Sequence, residues 1–126
     1  MPVSYRFDGS ILEMTFDGDC PPDHVTQQFL NALADPACPE RVVLLADVSK
    51  STSLATRPAE DIQRVAAFLG PHAERISRRC AVLAAEDIQF GLSRLGAVYS
   101  ETAGVATRVF RNRDEALAWL LKDTGA

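Results

Sequence analysis

The chain has 126 residues, of which 47% are hydrophobic and 24% charged, and a net charge of -4. That length suits one domain, spanning 1–126, with a buried core of its own. The acidic balance excludes a general nucleic-acid binder, which carries a strong basic excess, and no apolar run approaches the roughly 20 residues of a membrane helix. Val3, Tyr5 and Phe7 alternate with polar residues, Asp8-Gly9 intervenes, and Leu12, Met14 and Phe16 alternate again. Asp-Gly between two alternating runs predicts a two-residue hairpin, because both turn positions favour positive φ. Such a turn pairs Phe7 with Ser10, Tyr5 with Leu12 and Val3 with Met14, placing the apolar set on one face. Ile11, Glu13, Thr15 and Asp17 fall on the other face, so this hairpin is expected to be covered on one side only.

Pro21-Pro22 marks a helix start, where a missing N–H costs nothing. Val25, Phe29, Ala32 and Leu33 form its apolar stripe until Asp35-Pro36 stops it. Val42 to Val48 reads as a strand buried on both faces. After a hydroxyl-rich stretch, Ile62, Val65, Ala66 and Leu69 form a second stripe, which Gly70-Pro71 breaks or kinks before Ala73 and Ile76. Cys80 to Ala85 is the next buried strand. Glu86 and Asp87 suit the start of a helix carrying Ile88, Leu92, Leu95 and Tyr99, which Gly104 ends. Val105 to Phe110 is the last strand. Asn112 and Glu115 have N-cap spacing for a final helix with Ala116, Leu117, Leu120 and Leu121 inward and Trp119 off centre.

The order β-β-α-β-α-β-α-β-α predicts an α/β fold with a five-stranded, mostly parallel mixed sheet whose first strand is antiparallel. The polar positions Glu13, Thr15, Asp17 and Thr107 place the helices mainly on one face. The third and fourth strands are nevertheless apolar on both faces. An apolar outer face invites a twofold partner, so a homodimer is expected unless the hairpin or the last helix wraps around to cover it.

Three segments carry a family likeness: VVLLADVS at the third strand, CAVLAAEDIQFGLSRL at the fourth strand and its helix, and RVFRNRDEALAWL at the end. The chain resembles the STAS domain, the sulfate-transporter and anti-sigma-factor-antagonist family, and within it the bacterial SpoIIAA-like branch, whose fold is shared with CRAL-TRIO lipid-binding domains. The resemblance implies a regulatory or protein-interaction domain without catalysis. In antagonist members the third strand is followed by a phosphorylatable serine, typically after Asp and before Ser-Gly-Leu. Ser51 and Ser53 are the nearest matches and the candidate phosphosite. Neither follows an Asp and no glycine comes next, so no stoichiometric phosphorylation is expected.

The residues themselves bear on other chemistries. A serine nucleophile needs a base and an oxyanion hole; His24 and His72 have no recognisable partner spacing, a G-x-S-x-G elbow is absent, and Lys50 sits in a stretch that reads as exposed. The hydroxyls are expected to be a polar loop, with Ser53 or Thr56 capping the following helix. No phosphate-wrapping glycine motif occurs. Cys20, His24 and Cys38 fall short of a four-ligand metal set, so no metal and no cofactor are expected. Three cysteines without framework spacing, and a start lacking the parts of a signal peptide, suit a cytoplasmic chain with reduced thiols.

In a parallel sheet the carboxyl ends of the strands gather Asp47 to Thr56, Glu86-Asp87 and Arg111-Asn112-Arg113. Ser49, Ser51, Ser53, Arg111 and Arg113 are therefore the candidate site for a small anion or phosphate. The runner-up function is a small-molecule or lipid carrier, for which Phe68, Phe90, Leu92 and Tyr99 are candidate pocket walls. A hydrolase or transferase using the serines ranks last.

Overall fold

The computed structural model describes residues 2–122. Its elements are β1 (Val3–Asp8), β2 (Ile11–Gly18), α1 (Pro22–Ala34), β3 (Val43–Ser51), α2 (Ala59–Phe68), β4 (Arg79–Leu83), α3 (Asp87–Thr102), β5 (Ala106–Phe110) and α4 (Arg113–Leu120), with short 3₁₀ turns at Leu54–Thr56 and Gly70–His72. The strands form one sheet in the order β1-β2-β3-β4-β5, antiparallel between β1 and β2 and parallel elsewhere. This is the mixed α/β architecture that the element order predicts.

Strand order explains where the helices lie. Each parallel strand joins the same growing edge, and right-handed crossovers in one direction place their helices on one face. That face holds α1, α2 and α3 over a core of Leu12, Met14, Phe29, Leu44, Ile76 and Cys80. Among the described residues no strand follows α4, which packs on the opposite face against β3, β4 and β5. There it seals Leu45 and Ala81, both fully buried, beneath Ala116 and Leu120. The apolar outer face of the central strands is thus covered within the chain, by the route of the last helix.

A helix of eight residues is marginal alone, and α4 is held at both ends. At its start, Asn112 Oδ1 accepts the Glu115 N–H at 3.0 Å, the cap that the Asn112/Glu115 spacing predicts. Arg113 also reaches across to Glu13 of β2. At its end, Arg79 donates to the carbonyls of Trp119 at 2.6 Å and Lys122 at 3.0 Å while its guanidinium lies 5.0 Å over the Trp119 ring.

Several sequence expectations need correction. The hairpin pairs Phe7 with Leu12, Tyr5 with Met14 and Val3 with Phe16, a shift of two that keeps every side chain on its face. The loop residues are Gly9, at φ +58, and Ser10, so glycine holds the first central position; the gain is an apolar partner for Phe7 in place of Ser10. Glu13 is not a solvated polar position: it is 4% exposed beneath α4. Thr107, expected on the open face, is buried on the α1–α3 face in register with Cys80, and its hydroxyl donates to Val105 O. Finally, β3 runs on to Ser51, because an extra residue of β3 between Asp47 and Lys50, opposite Thr15 to Asp17, lets Lys50 and Ser51 pair with Asp17 and Gly18.

Candidate functional site

The hydroxyl-rich stretch after Asp47 is divided: Ser49 and Ser51 lie in β3, while Thr52, Ser53 and Thr56 follow it. Ser49 donates its hydroxyl to Asp47 Oδ1 at 2.6 Å, and the same oxygen accepts the Ser49 N–H at 3.0 Å. Ser51 is 9% exposed, and its Oγ accepts the Leu54 N–H that opens the 3₁₀ turn. Ser53 is 8% exposed, and its Oγ accepts the Cys20 N–H at 2.9 Å, tying this segment to the entry of α1. Ser51 rather than Ser53 or Thr56 therefore caps a turn. The start of α2, at Pro58, has no side-chain cap.

Gln89 joins the same junction from α3. It is 3% exposed; its amide donates to Ser49 O and Ser51 O, and its carbonyl accepts the N–H groups of Ala85 and Glu86. With Glu86 at the N-cap, this forms a reciprocal capping box. The end of β3 and the start of α3 are consequently one hydrogen-bonded unit. Ser51 and Ser53 are thus both buried, each with its Oγ accepting a backbone N–H. Lys50 is exposed. The ring of His72 packs against Phe29 and Phe68 at 5.5 and 5.2 Å.

Arg111 and Arg113 part company. Arg111 pairs with Asp87 at 2.6 Å and lies 4.8 Å over the Phe90 ring, joining β5 to the start of α3. Arg113 turns to the other face, where its two terminal nitrogens meet Glu13 at 2.5 and 2.9 Å in a bidentate pair. Arg6 Nε adds a third bond to Glu13 at 2.7 Å. These bonds, Arg113 foremost, hold the Glu13 carboxyl below the usual range against the opposing effect of burial. The candidate anion ligands thus have separate carboxylate partners and do not converge.

An apolar concavity lies elsewhere, between the sheet and α1, α2 and α3. It is an apolar cavity of about 180 Å³. Met14, Leu44, Ala46 and Val82 form its floor; Phe29, Ile62, Val65 and Phe68 come from α1 and α2. Helix α3 turns Ser93, Gly96, Ala97 and Ser100 toward it, while Ile88, expected on the inner stripe, is 51% exposed. These small side chains leave the space that larger ones would fill. Ser100 donates its hydroxyl to Gly96 O and Thr107 to Val105 O, so these two hydroxyls of the lining are engaged with backbone. Of the expected pocket walls, Phe68 and Leu92 line the cavity; Phe90 packs under Arg111 instead.

Arg57, which no sequence motif singled out, lines the cavity from the segment before α2. Its side chain is 25% exposed and pairs with Asp19 at 2.9 Å, while its Nε is buried without a partner. Among the described residues no group of three or more His, Cys, Asp or Glu is placed to hold a metal ion, and no helix is long and apolar enough to cross a membrane.

No family model matches the chain, and no curated protein does. Two solved structures are similar. One is an uncharacterized protein of the DUF3478 family with a SpoIIAA-like fold, from Shewanella loihica PV-4. It is 22% identical, with 94% of this chain and 91% of that chain covered and a TM-score of 0.56. The other is RsbS of Moorella thermoacetica carrying a serine-to-glutamate substitution, 16% identical, with 95% of each chain covered and a TM-score of 0.58. The fold is therefore SpoIIAA-like, as the strand and helix segments had suggested.

Proposed function

We propose that this chain is a non-catalytic, STAS-like regulatory or protein-interaction domain. The observation that carries the reading is the hydrogen-bonded junction of Ser49, Ser51, Ser53 and Gln89, where a reactive loop would otherwise sit. Its hydroxyls and amide join β3, α1 and α3, so the group builds a surface instead of performing chemistry. The likeness of fold to RsbS supports a regulatory role, as an argument from architecture alone. The same junction argues against a phosphoswitch at Ser51 or Ser53, since a phosphate there would displace backbone donors from buried oxygens.

The test is native mass spectrometry of the chain isolated from its own host, combined with a screen for ester and phosphoester hydrolysis. The expected result is a stoichiometric protein partner, unphosphorylated serines and no turnover. Hydrolysis that disappears in Ser51→Ala or Ser53→Ala overturns the reading. A homodimer is a separate outcome of the same spectrum; it requires a surface other than Leu45 and Ala81, which α4 occupies.

A further inference from the structure

We propose that the cavity beneath α1, α2 and α3 binds a small monocarboxylate with one apolar body of about six to ten carbons, its carboxylate held by Arg57. Three observations lead there. The volume, about 180 Å³, exceeds the roughly 150 Å³ in which an engineered apolar cavity holds benzene. The lining is hydrocarbon from Met14, Phe29, Leu44, Val65 and Val82, with hydroxyls such as those of Ser100 and Thr107 bonded to backbone carbonyls. Such a space favours an apolar body and offers little to a polar one.

The third observation is the cation at its edge. Arg57 is half-buried and lines the cavity; one terminal nitrogen is bonded to Asp19, while Nε has neither a hydrogen-bond partner nor access to water. A buried donor without an acceptor is costly and rare in folded proteins. The accessible part of the same side chain, which is 25% exposed at the cavity edge, is where a carboxylate oxygen can make a charge-assisted bond beside Asp19. The neighbouring charges restrict what fits. Asp19 already shares the Arg57 guanidinium, and Asp61, which also lines the cavity, is paired with Arg64 at 2.7 Å. Two carboxylates beside the site repel a dianion such as a phosphate monoester far more than a single carboxylate.

The inference does not rest on the regulatory reading, because binding is measured on the purified chain without any partner. Octanoate is titrated by calorimetry, with octan-1-ol as the neutral probe of the same length. Saturable one-to-one binding of octanoate is expected. Arg57→Gln should weaken octanoate about tenfold and leave octan-1-ol unchanged. Ala46→Leu, which fills the floor of the cavity, should abolish binding of both without lowering the melting temperature; Ser93→Leu closes the space from α3 should the first variant melt early. Absence of saturable octanoate binding overturns the proposal. So does an Arg57→Gln variant that binds octanoate like the parent, or undiminished binding in both filled variants.

Discussion

Leu44 and Leu45 are neighbours in β3 that face opposite sides of the sheet, and both are buried, at 3% and 0% exposure. Leu44 borders the cavity under the crossover helices, whereas Leu45 is enclosed by Ala81, Ala116 and Leu120. Three helices thus cover one face and leave a cavity; one short helix covers part of the other and closes it tightly, with a half-buried ion pair at its rim. The amount of helix does not decide packing quality. Side-chain size at the contact does: α3 brings Ser93, Gly96 and Ser100 to its interface, and α4 brings Leu120 and Leu117.

The largest expected effect sharpens that contrast. Leu45→Ala should cost about 3–4 kcal/mol, since a close-packed site cannot collapse around the lost side chain. Leu44→Ala should cost at least about 1 kcal/mol less, because part of the Leu44 surface already meets the cavity. Urea denaturation of both variants measures the difference, and equal losses would erase the distinction between the faces.

Next comes the ion pair. Arg113→Ala leaves Glu13 buried with Arg6 alone, and the expected loss is about 2 kcal/mol. That lies below the figure for a fully buried pair, because Arg113 is 37% exposed and Arg6 65% exposed. Chemical denaturation should show Glu13→Leu combined with Arg113→Met recovering most of it. A double variant no better than Arg113→Ala would mean that the bidentate geometry itself is required.

The same pair sets an acid limit. The folded pKa of Glu13 lies below the ordinary value of a glutamate carboxyl. The pair's contribution is therefore complete above that value and lost as pH falls through the depressed folded pKa. Melting temperatures taken from pH 6 downward should drop less in Glu13→Gln than in the parent; parallel curves would contradict this.

The smallest effect concerns thiols. Burial pushes Cys80, on the floor of the cavity, up to about 12, and it also raises Cys20. Cys38 is only half-buried, beside Arg75. A disulfide reagent near neutral pH should modify Cys38 first, with Cys20 and Cys80 reacting only on opening of the fold. Prior labelling of Cys80 would show that the cavity admits the reagent.

Much of the fold was legible because period-two and helical patterns report which face a residue takes. The hairpin illustrates the limit: its apolar face survives a shift of two, so alternation placed Phe7 inward yet could not choose between Ser10 and Leu12 as its partner. Glu13 was illegible for a different reason, since its partner is 100 residues distant and reads locally as a solvated helix start. In α3, a search for apolar stripes finds Ile88, Leu92, Leu95 and Tyr99, while Gln89, Ser93 and Ser100 are the buried positions. Small residues at Ser93, Gly96 and Ser100, three and four apart, were the available signal for an inward face. Arg57 gave no signal at all, because an unpartnered nitrogen is a property of three-dimensional packing.

Strand order that equals chain order has a consequence for biosynthesis. A polypeptide made from its N-terminus can add each finished strand to an existing edge, beginning with the hairpin and ending with β5. The far face is completed last. Until α4 leaves the ribosome, Ile11, Leu45 and Ala81 stay uncovered together and Glu13 has only Arg6 for a partner. The nascent sheet therefore carries a sticky flank until α4 emerges, and docking of that helix closes it.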